Sequence, residues 1–412
     1  MDEKLYWVWL SLIFNYGNDK PNEILMRYES PEDFYHLTTE QMLELGFLSE
    51  KDVKAIKGVS LLRAEKVIKD CKKHQIEIVT IGDNLYPERL KLIYGPPIVL
   101  YVQGDILGID ENVAITIVGT RKSSEYTSYA TQYLSYHLAQ AGAIIVSGCA
   151  VGIDTDAHIG ALRANARTIA VLGCGLDINY PAENKELKEQ ILKKGALISE
   201  LPPGEAATGK IFPIRNRILA GLSLGVLVTH APERSGSLIT VEHAIEQGKD
   251  VFCLPPYSIF DPQYAGVIKY LRDGATPVFS VKDILIEYYS TYAHKLDVDK
   301  IIGDYILEKR LEGRPAKIRV PKQSEEQPIP KLDKQEQEKI LEEYKHANGE
   351  IIMSLDEKQI LVYNKLTLEP KFIDELSSEC NLDVGTILSV LTEFEIMGIV
   401  SSYSGRRYAL AQ

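Results

Sequence analysis

Short runs of β-branched residues alternate with helix-length segments through the middle of this 412-residue chain. The candidate strands are residues 113–118, 144–147, 168–172, 197–199, 225–229, 250–254 and 276–279. The helix-length segments between them are residues 125–141, 155–164, 183–194, 238–247 and 264–273. Strands that alternate with helices form βαβ units, which assemble into a parallel sheet covered on both faces. The pattern therefore predicts an α/β fold with a doubly wound, mostly parallel sheet.

The loops that follow the strands are the candidate sites, because the crevice of a doubly wound sheet lies at the carboxyl ends of its strands. The first of these loops contains Gly119, Thr120, Arg121 and Lys122 and opens a helix. Small residues let a ligand approach the backbone, and a helix start with an arginine suits a phosphate. A capped helix with a solvated arginine would give the same pattern, and the G-x-G-x-x-G of dinucleotide sites is absent.

Two further loops carry glycines. Ser147 and Gly148 begin one of them, and Asp154 and His158 follow on one face of the next helix. A catalytic Asp–His pair and a helix cap beside a hydrogen-bonded histidine both fit, and the lack of an accompanying nucleophile or ligand set favours the cap. The loop at Gly173 is a G-x-G without its third glycine, which indicates a tight turn.

The stretch of residues 206–232 contains no Asp or Glu and combines cations with an aromatic ring and an amide. The residues concerned are Lys210, Phe212, Arg215, Asn216 and Arg217. Cations neutralise phosphates, an aromatic face stacks on an unpaired base for about 1–3 kcal/mol, and an amide can bond a base or sugar edge. A core Phe212 with arginines that cap a helix is the alternative interpretation.

A hydroxyl-rich turn follows the candidate strand at residues 225–229. Ser235, Gly236 and Ser237 lie in it and open the next helix. Hydroxyls, a glycine and free helix N–H groups together suit a phosphate. A nucleotide and a nucleic acid are equally good sources of that phosphate.

The charge of the chain is −12, from 46 basic and 58 acidic side chains. Taken alone, that value argues against a nucleic-acid partner, which normally accompanies net positive charge. Residues 1–112 hold 13 basic and 19 acidic side chains, residues 113–285 hold 16 of each, and residues 286–412 hold 17 and 23. The acidity lies outside the middle segment, so the net charge does not decide the partner.

Five isolated cysteines, never spaced as C-x-x-C, predict neither a disulfide framework nor a cysteine-based zinc site. No apolar run reaches the roughly 20 residues of a membrane span, and the amino terminus lacks a signal pattern. We therefore expect a cytoplasmic protein without a membrane segment, metal, cofactor or catalytic residue.

The segments on either side of the core have their own patterns. Residues 1–75 predict short helices at 4–14, 23–28, 39–45, 50–57 and 61–74, and residues 76–112 form a connecting segment with strand-like stretches at 76–81 and 98–102. Residues 286–354 are charged and contain several prolines, which predicts a linker that is at most partly helical. Residues 355–412 have helices at 358–366, 373–380 and 384–398 and then a hairpin. That order is typical of a winged helix.

Taken in order, the loop motifs resemble those of the DNA-processing protein A family (DprA/Smf). The motifs are residues 117–121, 147–158, 171–181, 212–223 and 233–240. The resemblance implies an extended Rossmann-like core over residues 113–285 that binds single-stranded DNA, a helical SAM-like domain over residues 1–75, and a C-terminal winged helix. It also implies a homodimer through the core, which protects incoming DNA and loads a RecA-type recombinase during natural transformation.

The same resemblance implies the DNA-binding residues. They are Gly119, Thr120, Arg121, Lys122, Ser147, Gly148, Gly173, Lys210, Phe212, Arg215, Asn216, Arg217, Ser235, Gly236 and Ser237. Arg121 would contact the DNA backbone, and Phe212 would stack on a base. The sequence departs from the family at Ile214, where arginine is frequent, and at residues 255–257 and 266–268, which lie in a region that resembles the family's dimer contact.

Two other functions are compatible with the residues. The loop at 235–240 is similar to that of Rossmann-like nucleoside-monophosphate phosphoribohydrolases, with Glu242 as an acid or base, although their double glycine is absent. A transcriptional regulator would instead contact duplex DNA through its winged helix. The third helix of that module, residues 384–398, contains acidic residues and no Lys or Arg, which favours protein docking.

Overall fold

The computed structural model describes residues 3–297, 355–367, 370–396, 399–403 and 407–410. Internal contacts divide the chain into two units, with the boundary between residues 313 and 314. The predicted linker begins inside the first unit, because its first residues, 286–292, continue a helix. Residues 298–354, most of the predicted linker, lie outside the described residues.

Short helices open the first unit. They are α1 (Leu5–Ser11), α2 (Lys20–Leu25), α3 (Pro31–Tyr35), α4 (Thr39–Glu44), α5 (Glu50–Gly58) and α6 (Leu61–Lys73). Ser30, Thr38 and Ser49 begin three of them, since each hydroxyl accepts a hydrogen bond from the backbone N–H three residues later. Four of the five predicted helices are confirmed, and the one predicted at 23–28 lies three residues earlier, at Lys20–Leu25. Helix α3 was missed because five residues are too few to show an apolar period. The SAM-like assignment stays a prediction.

Nine strands of the first unit form one sheet. They are β1 (Glu77–Thr80), β2 (Val99–Gly104), β3 (Ala114–Gly119), β4 (Ile144–Ser147), β5 (Thr168–Val171), β6 (Ala196–Ser199), β7 (Gly225–His230), β8 (Asp250–Cys253) and β9 (Thr276–Pro277). Strands β3 to β9 run parallel to one another, whereas β1 pairs antiparallel with β2 and β2 with β6. The seven strands predicted after residue 113 are confirmed, and the connecting segment adds two strands to the same sheet.

The strand order is β1-β2-β6-β5-β4-β3-β7-β8-β9. The chain therefore builds outward from β3 to β6 and then returns to the other side of β3 to add β7. Ile117 pairs with Leu227, and at the carboxyl ends Gly119 pairs with His230. Ligands of open α/β sheets bind outside the carboxyl ends of the strands at such a switch point. The topology thus places the crevice beside Gly119 and His230.

Helices connect the strands. They are α7 (Glu88–Lys91), α8 (Glu125–Gln140), α9 (Ile153–Arg163), α10 (Lys185–Leu192), α11 (Ile211–Leu222), α12 (Leu238–Glu246), α13 (Ala265–Arg272) and α14 (Lys282–Tyr292), with short 3-10 turns at Ala182–Asn184 and Pro262–Tyr264. The five helices predicted between the core strands are confirmed. Helix α11 was not predicted, because Pro213 indicates a break. Pro213 in fact lies in the first turn, where no intrahelical N–H is needed.

Apolar side chains cover both faces of the sheet. Ile115, Ile117 and Ile145 pack with α8 and α9 on one face. Val118 and Val146 belong to the opposite face, which α11 and α12 cover. Helices α1 to α6 pack on strands β2, β5 and β6. Because both faces are filled, the loops at the carboxyl ends of the strands are held on a rigid base.

The second unit is a small α/β module. Its elements are α15 (Glu357–Tyr363), β10 (Lys371–Phe372), α16 (Ile373–Cys380), α17 (Val384–Ile396), β11 (Val400–Tyr403) and β12 (Arg407–Leu410). The strands form an antiparallel sheet in the order β10-β12-β11, and Leu376, Leu391 and Phe394 are buried in the core. The three predicted helices and the hairpin are confirmed, and β10 completes the sheet of a winged helix.

The described part of the chain also bears on three further features, which are membrane-spanning helices, metal sites and cysteine reactivity. Within those ranges no helix is both long and apolar enough to cross a membrane. The same residues hold no group of three or more His, Cys, Asp or Glu side chains placed to bind a metal ion. The five cysteines are unpaired and buried, and burial raises the pKa of the Cys149 thiol to about 12. Cys149 is therefore a protonated, unreactive thiol at neutral pH.

Candidate nucleic-acid interface

A pocket of about 660 Å³ lies at the carboxyl ends of β3 and β7, at the switch point of the sheet. Nine predicted DNA-binding residues line it: Gly119, Thr120, Arg121, Phe212, Arg215, Asn216, Ser235, Gly236 and Ser237. A smaller adjoining pocket shares Arg121 and Phe212 and adds the predicted residues Gly148 and Gly173. The fold therefore brings together residues from four loops and from α11.

The ring of Phe212 lies where the two pockets meet. The guanidinium carbon of Arg121 is 5.4 Å from the centroid of this ring, and the ring centroid of Tyr180 is 5.8 Å away. A Cβ atom on Gly173 would come within 2.9 Å of Phe212, so the glycine lets the ring lie against its loop. A half-buried aromatic ring beside an arginine can stack on an unpaired base while the cation meets a phosphate.

Arg215 forms part of the pocket wall and holds two loops. Its side chain is buried, and its Nη1 atom donates to the carbonyl of Gly148 at 3.0 Å and also to the carbonyl of Val171. A Cβ atom on Gly148 would lie 2.7 Å from the guanidinium nitrogens, so only a glycine admits this contact. Arg215 therefore supports the pocket wall and does not cap a helix as the alternative interpretation expected, and it also lines the pocket.

Asn216 connects α11 to the loop after β7. Its Nδ2 atom donates to the carbonyl of Gly236 at 3.1 Å, and the hydroxyls of Ser235 and Ser237 lie 2.7 Å apart in the same loop. Thr240 lines the pocket and is buried, and among the described residues its hydroxyl has no hydrogen-bond partner. A buried hydroxyl without a partner costs free energy, so this wall suits an oxygen-rich ligand that completes the bond.

Asp154 and His158 do not form a catalytic pair. Burial raises the pKa of the Asp154 carboxyl to about 6, although Arg215 opposes the shift. The Nδ1 atom of His158 lies 2.7 Å from the hydroxyl of Thr168, and burial lowers the pKa of the imidazole to about 3. The histidine is therefore neutral at neutral pH and is bonded to another residue. Gly152, and not Asp154, is the N-cap residue of α9.

Four predicted residues line neither pocket: Lys122, Ser147, Lys210 and Arg217. Lys122 and Lys210 are exposed, and each follows a lining residue in the sequence. Ser147 is fully buried, and its hydroxyl donates to the carbonyl of Ile117 at 2.7 Å. The expectation that the Ser147 side chain contacts DNA is therefore corrected, since the hydroxyl has no access to a ligand.

Arg217 forms a buried ion pair. Its Nη2 atom lies 2.7 Å from Oε1 of Glu200, and both side chains are largely shielded from solvent. Burial raises the pKa of the Glu200 carboxyl, while Arg217 opposes that shift. Nη2 is thus paired with a carboxylate inside the protein, whereas Nε and Nη1 have no hydrogen-bond partner among the described residues. The side chain is buried and lines neither pocket, which argues against the predicted DNA contact at this position.

Two further positions bear on the sequence interpretation. Ile214, which stands where the family often has arginine, does not line the pocket and lies on the side of α11 near Gly17. Glu242 is exposed and does not line the pocket, so the phosphoribohydrolase alternative has no acid or base from that residue at the site.

Tyr180, Arg234 and Thr240 are among the lining residues that sequence reasoning missed. Arg234 precedes the S-G-S turn, and a cation next to a phosphate-type turn was a usable signal. Tyr180 belongs to a motif that carried the family resemblance. Its ring contact with Phe212 joins residues 32 positions apart, which no local sequence pattern reveals. The role of Thr240 required the burial and hydrogen bonding of its hydroxyl.

The doubly wound sheet with its switch-point pocket, together with the separate winged helix, defines an extended Rossmann-like protein with an appended winged-helix module. The sequence profile of DNA recombination-mediator protein A matches residues 77–289, more than half of the chain. The profile of the DprA winged helix domain matches residues 351–406. The chain belongs to the DprA/Smf family.

Individual relatives agree with this assignment. The chain is similar to Protein Smf of Synechocystis sp., at 32% identity over 422 residues, with 98% of both chains covered. It is 40% identical over 222 residues to the DNA processing protein DprA of Bacillus subtilis, which covers 54% of this chain and 74% of that protein. The X-ray structure of DNA processing protein A from Streptococcus pneumoniae matches with a TM-score of 0.60 and 32% identity, over 70% of this chain and 98% of that one.

Proposed function

We propose that this chain is a cytoplasmic mediator of recombination without enzymatic activity, which binds single-stranded DNA in the switch-point pocket. In this role it protects an incoming strand and loads a RecA-type recombinase during natural transformation. The observation that carries the proposal is the ring of Phe212, which lies near both Arg121 and Tyr180 where the two pockets meet. An accessible ring beside a cation is what a base and its phosphate require.

Single strands fit this pocket better than duplex, because stacking on Phe212 needs a base whose face is free. In a duplex the neighbouring base pairs cover those faces. The phosphates would meet the exposed cations Arg121, Lys122 and Arg234. Neutralised phosphates release counterions, so the affinity should fall as salt increases.

The charge distribution supports binding that is confined to the pocket. Residues 113–285 are neutral overall, whereas the segments before and after them carry six excess acidic side chains each. Excess negative charge lowers the attraction of nucleic acid to the rest of the surface. A strand is therefore held by a few placed cations and a stacking ring rather than by a general positive field.

We also propose that the core forms a homodimer through the β9 edge. Ile245, Phe279, Ile286 and Tyr289 are exposed apolar side chains in this part of the core. Ile245 lines the same 380 Å³ pocket as Thr276 of β9. Among the described strands β9 is the last of its sheet, and an apolar surface beside a sheet edge favours self-association.

The winged helix has a different proposed role. Helix α17 exposes Val384 and Leu388, and its sequence contains no Lys or Arg. A third helix without cations cannot neutralise DNA phosphates and should therefore bind duplex DNA weakly. We assign this module to protein docking, and specific binding of duplex DNA by residues 355–412 would argue for the regulator alternative instead.

Fluorescence anisotropy with labelled oligo-dT tests the proposed function. The full-length protein should bind oligo-dT more tightly than duplex of equal length, with an affinity that falls with salt. Arg121→Ala should weaken binding about tenfold, and the matched control Arg163→Ala, in the last turn of α9, should not. Equal affinity for duplex and single strand, or equal effects of the two arginine variants, would overturn the proposal.

A further inference from the structure

A group of exposed apolar side chains lies beside the pocket and is not used by the site described above. Its members, which we call the aromatic patch, are Tyr126, Tyr129, Tyr257, Ile259 and Phe260, with exposed fractions between 42% and 88%. Two of them lie on α8 and three in the loop after β8. Surface side chains of this size, grouped rather than scattered, mark an interaction surface.

Ring contacts connect the aromatic patch to the pocket wall. The ring centroid of Tyr257 lies 5.8 Å from that of Tyr126 and 5.4 Å from that of Tyr264. Tyr264 in turn stacks on His230 at 4.5 Å, and the carbonyl of His230 accepts a hydrogen bond of 2.7 Å from the backbone N–H of Thr120. Thr120 lines the pocket. The patch is therefore packed, through the buried Tyr264 and His230, against the backbone of the wall of the proposed DNA site.

The patch is also close to the pocket along α8. The hydroxyls of Ser124, at the start of α8, and Tyr264 lie 3.4 Å apart. Tyr129 follows Ser124 by five residues, which is about 8 Å along the helix axis. Tyr257 is fixed at its far end, since its hydroxyl donates to Asp261 at 3.3 Å. The exposed ring of Tyr257 packs on the buried ring of Tyr264, so it should lose little conformational entropy when a ligand stacks on it.

The charges around the patch identify what could occupy it. None of its five members is charged, and two acidic residues lie beside it, the exposed Glu125 and the half-buried Asp261. A phosphate would therefore find no cation here, whereas the face of an unpaired base needs none. Together with the packing of the patch against the wall of the site, this favours the bases of a strand whose phosphates are held nearer Arg121.

We propose that the aromatic patch extends the single-stranded DNA path, so that bases leaving the pocket stack on its exposed rings. The inference rests on the proposed function of the pocket. It assigns two parts to the binding site: a pocket with cations, whose contribution depends on salt, and a patch without cations, whose contribution depends on the bases and little on salt.

The test compares two oligonucleotides of equal length, about 15 nucleotides. One is oligo-dT, and the other keeps a central dT block but has abasic flanks, so that it retains every phosphate. The wild-type protein should bind oligo-dT about fivefold or more tightly than the abasic form, at low and at high salt. The double variant Tyr129→Ala, Tyr257→Ala should bring this ratio close to one without changing the affinity for the abasic form.

Two controls test whether the aromatic rings of the patch cause the effect, and not the tyrosine hydroxyls or the loss of any exposed tyrosine. Tyr129→Phe with Tyr257→Phe retains both rings and should retain the ratio. Tyr94→Ala removes a tyrosine that is 78% exposed, lies between α7 and β2, and lines neither pocket. That variant should behave as the wild type, and unfolding midpoints would verify that all variants are folded.

The outcomes separate this inference from the proposed function. If the wild type binds neither oligonucleotide, the proposed function fails. If it binds both and the ratio persists in the alanine double variant, the pocket stands and the patch is not part of the path. If the double variant leaves the ratio unchanged and lowers the sedimentation coefficient, the patch is a contact between protein chains, and the inference is overturned.

Discussion

The motif at residues 210–217 covers the start and the first two turns of α11, and its two ends differ in what surrounds them. In the first turn of α11 Phe212 is half-buried at the two pockets, and the preceding Lys210 is exposed. One turn later Arg215 and Asn216 are buried and bonded to loops, and Arg217 is paired with a carboxylate. Part of this cationic stretch is therefore exposed at the pocket, and part of it supports the pocket from inside the protein. The packing of α11 on the sheet determines which residues belong to each part.

The buried end also explains why the pocket has a defined shape. Arg215 links the loop after β4 to the last residue of β5, and Asn216 links α11 to the loop after β7. Side chains that are bonded inside the protein do not reach a DNA strand. They hold in place the exposed side chains that are proposed to contact it. The comparison predicts losses of stability from the buried end and losses of affinity from the exposed end.

The largest expected effect is at the buried end. Arg217→Ala should lower the free energy of unfolding by about 3–5 kcal/mol, because the buried Glu200 carboxylate loses its partner. Replacing both residues, as in Arg217→Met with Glu200→Leu, should recover much of that loss. Urea unfolding measures both variants. If Arg217→Ala weakens DNA binding while the unfolding free energy stays at the wild-type value, Arg217 belongs to the DNA contact and not to the supporting residues.

Phe212→Ala should act mainly on DNA. Loss of the stacking face is expected to lower the affinity for oligo-dT by about 1–3 kcal/mol, with a smaller effect on unfolding because the ring is only half-buried. Phe212→Trp keeps an aromatic face and serves as the matched control. Anisotropy titrations and urea unfolding of the same preparations test the prediction, and a stability loss larger than the affinity loss would contradict it.

Asp154 should make stability depend on pH beneath the pocket. Its carboxyl has a pKa of about 6 in the folded chain against an ordinary value of 3.8, because it is buried. The folded chain therefore holds a proton that the unfolded chain releases between these values, which stabilises the fold at low pH and is lost as the pH rises through about 6. Relative to Asp154→Asn, the wild type should lose about 2 kcal/mol from about pH 4 to pH 7. Parallel pH profiles of the two proteins would refute this.

Lys210→Ala should have the smallest effect. The side chain is exposed and lies outside both pockets, so it can meet only a phosphate that passes the start of α11. We expect an affinity loss below about 1 kcal/mol, a decrease of about one in the salt slope, and unchanged unfolding. A salt titration of oligo-dT binding measures this, and a loss as large as that of Phe212→Ala would place Lys210 inside the site.

Much of the fold follows from local sequence pattern, and the site follows only in part. The parallel strands and their loops were predictable because a β-branched run between helices is a local signal. Helix α11 was hidden by Pro213, which looks like a helix breaker unless its place in the first turn is known. The partner of Arg217 lies 17 positions away at Glu200, and no spacing rule connects the two. Which arginine is free therefore depends on tertiary packing.

Photocrosslinking tests the central claim most directly. Full-length protein would be irradiated with oligo-dT that carries 5-iodouracil, and the modified peptides would be mapped by mass spectrometry. The account predicts crosslinks at Phe212 and Tyr180, and their competition by unlabelled single strand but not by duplex. Crosslinks confined to residues 355–412, or equal competition by duplex, would contradict the assignment of the DNA site to the first turn of α11.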